Sequence, residues 1–271
     1  MGRTHCVLES GSQPSMNLVL VAGCSFAGVV TGQSDTAINL NQKRFKFFDS
    51  SAAGNKAIAA RIRYELLRDS YDHVIVLWSG INRIDVPISS ETHTKTPNNY
   101  KYISVMEDWV WYHSGGIAGS WQSDDVCPAA IKSQFRQEYL YQTARSATDT
   151  TLLAIIETQD LLETHKINYT MSFIYDIHQS YNDTVDKVTN TKYRTIGFDR
   201  WPLWLSLEHC LGKVDATSGL YNMVNWDKFN NTTPPFEYCA KRDLQQIDKF
   251  HPTPVGMIEW FETQLSIDLT S

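Results

Sequence analysis

Ser25 sits in the run Gly23-Cys24-Ser25-Phe26, directly after the apolar stretch 17–22 (NLVLVA). A serine at the exit of a buried strand, beside a glycine, is held on a sharp turn with its hydroxyl exposed, which suits a nucleophile. The same tetrapeptide also reads as an ordinary βα turn in which Ser25 caps the next helix. A hydroxyl nucleophile needs a base, and Asp248-Lys249-Phe250-His251-Pro252 offers one. Histidine takes the serine proton only when its ring is oriented and its tautomer fixed. A carboxylate bonded to the other ring nitrogen does both. Their spacing lets Asp248 and His251 meet within one loop, although in isolation the pair reads equally as a surface aspartate and a histidine preceding a helix. Acyl transfer builds negative charge on the carbonyl oxygen, and each donor aimed at that oxygen is worth roughly 3 kcal/mol. Gly54-Asn55 and Gly80-Ile81-Asn82 bring a backbone N–H at Gly54 and the side-chain amide of Asn82 as candidate donors, and ordinary turn chemistry explains each of them separately.

These residues need a frame that brings them together. Residues 17–26 read as a buried strand entering a turn, 44–49 (RFKFFD) as a second strand and 73–78 (HVIVLW) as a third. Between the last two, Lys56–Arg68 places Ile58, Ile62, Leu66 and Leu67 on one helical face. Continuous apolar strands suit a mainly parallel sheet covered on both faces. The stretch 87–131 breaks the pattern and predicts a long irregular insertion near the strand ends, with a partial lid as one reading. Ser133 to about His165 reads as one long helix or two, 169–175 as a fourth strand, and 178–247 as irregular. Thr253 and Pro254 open a final amphipathic helix as N-cap and first helical residue. The expected organisation is a weakly ordered extension over 1–16 and a single domain over 17–271.

The order and spacing of these blocks resemble the SGNH, or GDSL-like, hydrolase family. That pattern is a serine near the N-terminus, then a glycine, then G-x-N, and finally D-x-x-H-P. Here those are Ser25, Gly54, Gly80-Ile81-Asn82 and Asp248-Lys249-Phe250-His251-Pro252. The resemblance implies a three-layer α/β/α, flavodoxin-like fold and a carboxylic-ester hydrolase without metal or organic cofactor. It implies Ser25 as nucleophile, His251 as general base and then acid, and Asp248 as the residue that orients it. The oxyanion hole would be the Ser25 and Gly54 backbone N–H groups and the Asn82 side chain. Two positions depart from the pattern. Cys24 stands where the family often has Asp, and Arg83 follows G-x-N where an acidic residue is common. Arg83 either pairs with Asp85 on the surface or faces the cleft and binds an anionic substrate group. Asn55 either positions the loop or assists the oxyanion site. Neighbours on an extended strand point to opposite sides, so only one of Cys24 and Ser25 can face His251, and the family register favours Ser25.

The chain has 271 residues, enough for one large α/β domain. Its net charge of −6, with no long Lys/Arg run, argues against a nucleic-acid partner. Five scattered cysteines without a C-x-x-C pair suggest neither a zinc site nor a disulfide framework. No signal peptide or membrane span is visible, which suggests a cytoplasmic protein or one released with a phage or virus particle. Aromatic residues are abundant, and Trp109, Trp111 and Trp121 in the insertion suggest stacking on sugar rings. The expected substrate is therefore a small or glycan ester that loses acetyl or another short acyl group. The alternatives are an acyltransferase on the same fold and a non-catalytic carbohydrate-binding or structural module.

Overall fold

The computed structural model describes residues 17–30, 36–40, 43–49, 53–89, 103–106, 109–113, 129–178, 212–246 and 251–265. In chain order the strands are β1 (Asn17–Gly23), β2 (Thr36–Leu40), β3 (Lys43–Asp49), β4 (His73–Trp78), β5 (Asp85–Ser89), β6 (Ile103–Met106), β7 (Trp109–His113) and β8 (Asn168–Phe173). The helices are α1 (Ser25–Gly28), α2 (Asn55–Leu66), α3 (Ala129–Tyr141), α4 (Ala144–Thr164), α5 (Pro235–Lys241) and α6 (Pro254–Gln264). The extension expected over 1–16 lies outside the described residues.

The protein is α/β, with a mostly parallel main sheet in the order β2-β3-β1-β4-β8. β3, β1, β4 and β8 run parallel, and β2 pairs antiparallel on the outer side of β3. β1 and β4 are buried along nearly their whole length, as expected for parallel strands. The register pairs Gly23 with Asp49 on one side and with Leu77 on the other. The chain segments leaving β3, β1 and β4 therefore start side by side at one sheet edge.

Helix packing follows from the apolar stripes. α2 buries Ala57, Ile58 and Ile62 and packs along α4, which buries Leu152, Ile155 and Leu162. Successive residues of β3 carry contacts to different helices. Phe47 meets Phe261 of α6 edge-on at 6.4 Å, and Phe48 lies 4.1 Å beneath the Arg61 guanidinium of α2. The fully buried Glu65 of α2 is held by Lys46 at 2.9 Å and by Arg61 at 3.2 Å. Thr143 caps α4 in a reciprocal bond with Ser146. Thr253 caps α6 by accepting from the Gly256 N–H at 3.1 Å, with Pro254 in first position as its sequence suggests.

Three expectations need correction. The described part of 87–131 is not irregular, because β5, β7 and β6 form a separate antiparallel sheet. The alternation that builds it is short and interrupted, so it carries little periodic signal. The region 178–247 contains α5 and two 3-10 turns, at Gly219–Met223 and Trp226–Lys228. β2 has no counterpart in the sequence reading, since five residues (TAINL) alternate too briefly to stand out. Among the described residues no helix is long and apolar enough to cross a membrane.

One buried carboxyl makes stability depend on pH. Glu237 of α5 accepts the Asp176 N–H at 2.9 Å through Oε1, while Oε2 is buried without a partner. Burial pushes its carboxyl up from 4.5 to about 7. Below about pH 4.5 both folded and unfolded chains hold this proton. As pH rises to 7 only the unfolded chain releases it, so stability falls through that window. Glu237→Gln keeps the acceptor for Asp176 and removes the charge. In urea unfolding the variant should match the wild type near pH 4.5 and exceed it by roughly 3 kcal/mol near pH 8. Parallel pH profiles for the two proteins would rule this out.

Candidate active site

β1 delivers Ser25 to the sheet edge. Cys24 occupies the N-cap position of α1 with extended backbone, and Ser25 is the first helical residue. Cys24 is completely buried whereas Ser25 is half-buried. The two side chains thus divide as the alternation of an extended strand requires, and Cys24 fills core space as a small apolar group.

His251 reaches Ser25 from the other end of the chain. Its Nε2 lies 2.8 Å from Ser25 Oγ, although 226 residues separate the two in sequence. Phe26 flanks the imidazole, with ring centroids 5.6 Å apart and planes tilted by 44°. The backbone at His251 is held by two hydrogen bonds to the segment Leu244–Gln246. The Gln246 N–H donates to the His251 carbonyl at 2.7 Å, and the Thr253 N–H donates to the Leu244 carbonyl at 2.8 Å. The Gln246 side chain donates to the Pro252 carbonyl at 2.9 Å. Asp248 and Trp121 lie outside the described residues.

Asn82 leaves β4 at the same sheet edge and is half-buried. Among the described residues its amide makes no hydrogen bond. Gly212 covers it from above. This residue has φ +63°, and a β-carbon there would come within 2.6 Å of the Asn82 amide atoms. Only glycine satisfies both the left-handed backbone and the close approach. Tyr175 fixes the arrangement from below, donating its hydroxyl to the Gly212 carbonyl at 2.8 Å and accepting from the Ile81 N–H at 3.5 Å. Burial pushes the Tyr175 phenol well up, which keeps its proton available for that bond.

Gly54 and Asn55 serve the scaffold. The Gly54 N–H donates to Asp85 Oδ1 at 2.8 Å, and the Ala57 N–H donates to Asp85 Oδ2 at 3.0 Å. His113 Nδ1 lies 2.8 Å from Asp85 Oδ1, with both side chains buried. Asp85 thus occupies the N-terminal end of α2, and the Gly54 N–H expected to face an oxyanion is already engaged by a carboxylate. Asn55 accepts the Ser79 N–H at 2.7 Å and donates to the Ser79 carbonyl at 3.3 Å and to Thr151 Oγ1 at 3.1 Å. Its amide ties α2 to the exit of β4 and to α4, so of the two roles considered it takes the positioning one.

Arg83 does not form the surface pair with Asp85. It is 8% exposed, and its Nη1 donates to Ser79 Oγ at 2.7 Å and to the Ala53 carbonyl at 3.3 Å. Trp109 and Trp111 on β7 line a groove with Arg63 and Tyr64 of α2 and with Leu67 at its C-cap. Arg63 is eight residues along α2 from Asn55, about 12 Å at the helical rise, and Ser25 is not among the groove's residues. The structure therefore unites Ser25 with His251 and leaves the tryptophans elsewhere.

Four residues of this region escape sequence reasoning: Asp85, His113, Tyr175 and Gly212. None belongs to a recognisable spacing, and each acts through a contact made only after folding. Gly212 had the one available signal, since a glycine outside any predicted element invites a search for positive φ. No family model, curated protein or solved structure matches this chain.

Proposed function

We propose that this protein is a serine-dependent carboxylic-ester hydrolase of the SGNH type, acting on a small acyl group. The observation that carries the reading is the 2.8 Å approach of Ser25 Oγ to His251 Nε2. That distance lies within general-base range. Two further features support it. The unengaged Asn82 amide is available to an oxyanion, and the parallel strands run in the order expected of a flavodoxin-like sheet, with Ser25 beside its β1/β4 switch point. The contacts of Phe47 and Phe48 to different helices favour the three-layer α/β/α arrangement.

In this mechanism His251 Nε2 takes the Ser25 proton as Oγ bonds to the ester carbonyl carbon. The Asn82 amide and the Ser25 N–H stabilise the oxyanion, two donors instead of the three expected with Gly54. Collapse breaks the carbon–oxygen bond to the alcohol, which leaves with the proton from His251. Water then attacks the acyl-enzyme with His251 again as base, and Ser25 recovers its proton. Asp248 is assigned to orient His251 on the strength of the family pattern alone. Trp109 and Trp111, which suggest a sugar, lie along α2, so the proposal rests on the ester and leaves the alcohol open.

A fluorophosphonate probe tests the reading directly. It should phosphonylate Ser25 in the folded protein, identified by peptide mass spectrometry, and block turnover of p-nitrophenyl acetate. Absence of labelling in the folded protein would reject the proposal. The oxyanion assignment has its own test. Asn82→Ala should lower kcat by about 10²–10³-fold with little change in KM. Gly212→Ala should lower kcat as well, by displacing the Asn82 amide. A Gly212→Ala enzyme with wild-type kcat would remove Asn82 from the oxyanion site.

A further inference from the structure

A cavity of about 380 Å³ opens between the first turn of α2, the β4–β5 connection and the two helices α3 and α4. That size is within the rough range of 300–1,000 Å³ usual for small-molecule sites. Ser25, Asn82 and His251 do not line it. Arg83 does, together with Lys56, Ser146 and Thr150.

Arg83 is the informative residue. It is more than nine-tenths buried, yet among the described residues it has no ion-pair partner. Only Nη1 makes hydrogen bonds, while Nε is buried without a partner and Nη2 makes none. Nε has no accessible surface, so Nη2 is the guanidinium nitrogen left to meet a ligand, a charged N–H donor of the kind that pairs with a carboxylate or phosphate oxygen. A buried, uncompensated charge is costly, and an anion supplies what it lacks. The acidic residues of the wall do not fill that role. The Asp85 oxygens bind Gly54, Ala57 and His113, and Glu138 accepts from Gln134 at 2.9 Å. Lys56, exposed on α2, adds a second positive charge at the cavity wall.

We propose that this cavity binds the oxyanion group of a small molecule, a carboxylate or a phosphate, at Nη2 of Arg83 with Lys56 as a second contact. The site is separate from Ser25 and does not depend on the hydrolase reading. Isothermal titration with inorganic phosphate and with acetate, at constant ionic strength in sodium chloride, tests it. The wild type should bind at least one of the two at a single site. Tighter phosphate binding would identify a phosphate ester as the ligand class, and tighter acetate binding a carboxylate. Arg83→Lys keeps the charge but loses the Nη2 donor and the Nη1 bonds that hold it in place, and should weaken binding by about tenfold or more. Lys56→Gln, on the exposed face of α2, should weaken it about threefold without disturbing the core. Ser25→Ala should bind as the wild type does. Absence of binding to both probes, or unchanged affinity in Arg83→Lys or in Lys56→Gln, would overturn the proposal.

Discussion

Replacing Ser25 by alanine should lower ester turnover by a factor on the order of 10⁴–10⁶ while leaving the fold unchanged. The loss is large because removing Oγ leaves His251 without the nucleophile it activates. The neighbouring thiol of Cys24 is completely buried in the core. The structural effect is small for equally specific reasons. Ser25 is the first residue of a one-turn helix, where alanine is tolerated, and among the described residues its side chain makes one hydrogen bond, to His251. Losing that bond should cost only about 1 kcal/mol. His251→Gln should be nearly as inactive, because the two residues act as a unit and their effects do not add. Single-turnover kinetics with p-nitrophenyl acetate, beside a thermal melt of each variant, makes the comparison. Turnover that survives in Ser25→Ala would eliminate the serine mechanism, whatever the 2.8 Å distance suggests.

The frame of this site was readable from sequence, but its wiring was not. Long apolar runs such as HVIVLW and the stripe of Ile58 and Ile62 announce buried strands and a covering helix, because parallel sheets and amphipathic helices leave strong periodic signals. The pairing of Ser25 with His251 is what the family resemblance implies, and His251, which precedes α6 and leaves no strand, carries no strand-end signal of its own. The Gly54 donor failed for a reason no local pattern contains. Its N–H is satisfied by Asp85, a residue 31 positions away whose carboxylate is placed by the β4–β5 connection. The Arg83 surface pair failed in the same way, because burial depends on how α3 and α4 close over the segment. Trp109 and Trp111 lie apart from Ser25 because β7 pairs into a second sheet that lies against α2.

Asp85 carries the second large prediction, and its argument begins with that same hydrogen bond. Its carboxylate accepts from the Gly54 and Ala57 N–H groups and lies 2.8 Å from His113 Nδ1, all in buried surroundings. Two of these donors belong to the first turn of α2, which has no intrahelical acceptors for them and presents the positive end of the helix dipole. Asp85→Ala leaves the backbone donors and the imidazole without this acceptor, at a cost of about 3–5 kcal/mol. Asp85→Asn separates charge from hydrogen bonding. Its single oxygen can serve one backbone N–H, but its amide NH₂ then faces another donor, so roughly 2 kcal/mol should still be lost. The damage should also reach the active site. α2 starts at Asn55, which grips both backbone groups of Ser79 three residues before Asn82. If α2 shifts, the Asn82 turn shifts with it, so kcat should fall while KM changes little. Urea unfolding of both variants, followed by steady-state kinetics below the transition, separates the two effects. A stability within about 0.5 kcal/mol of wild type in Asp85→Ala would show that the α2 N-terminus finds water in place of the carboxylate.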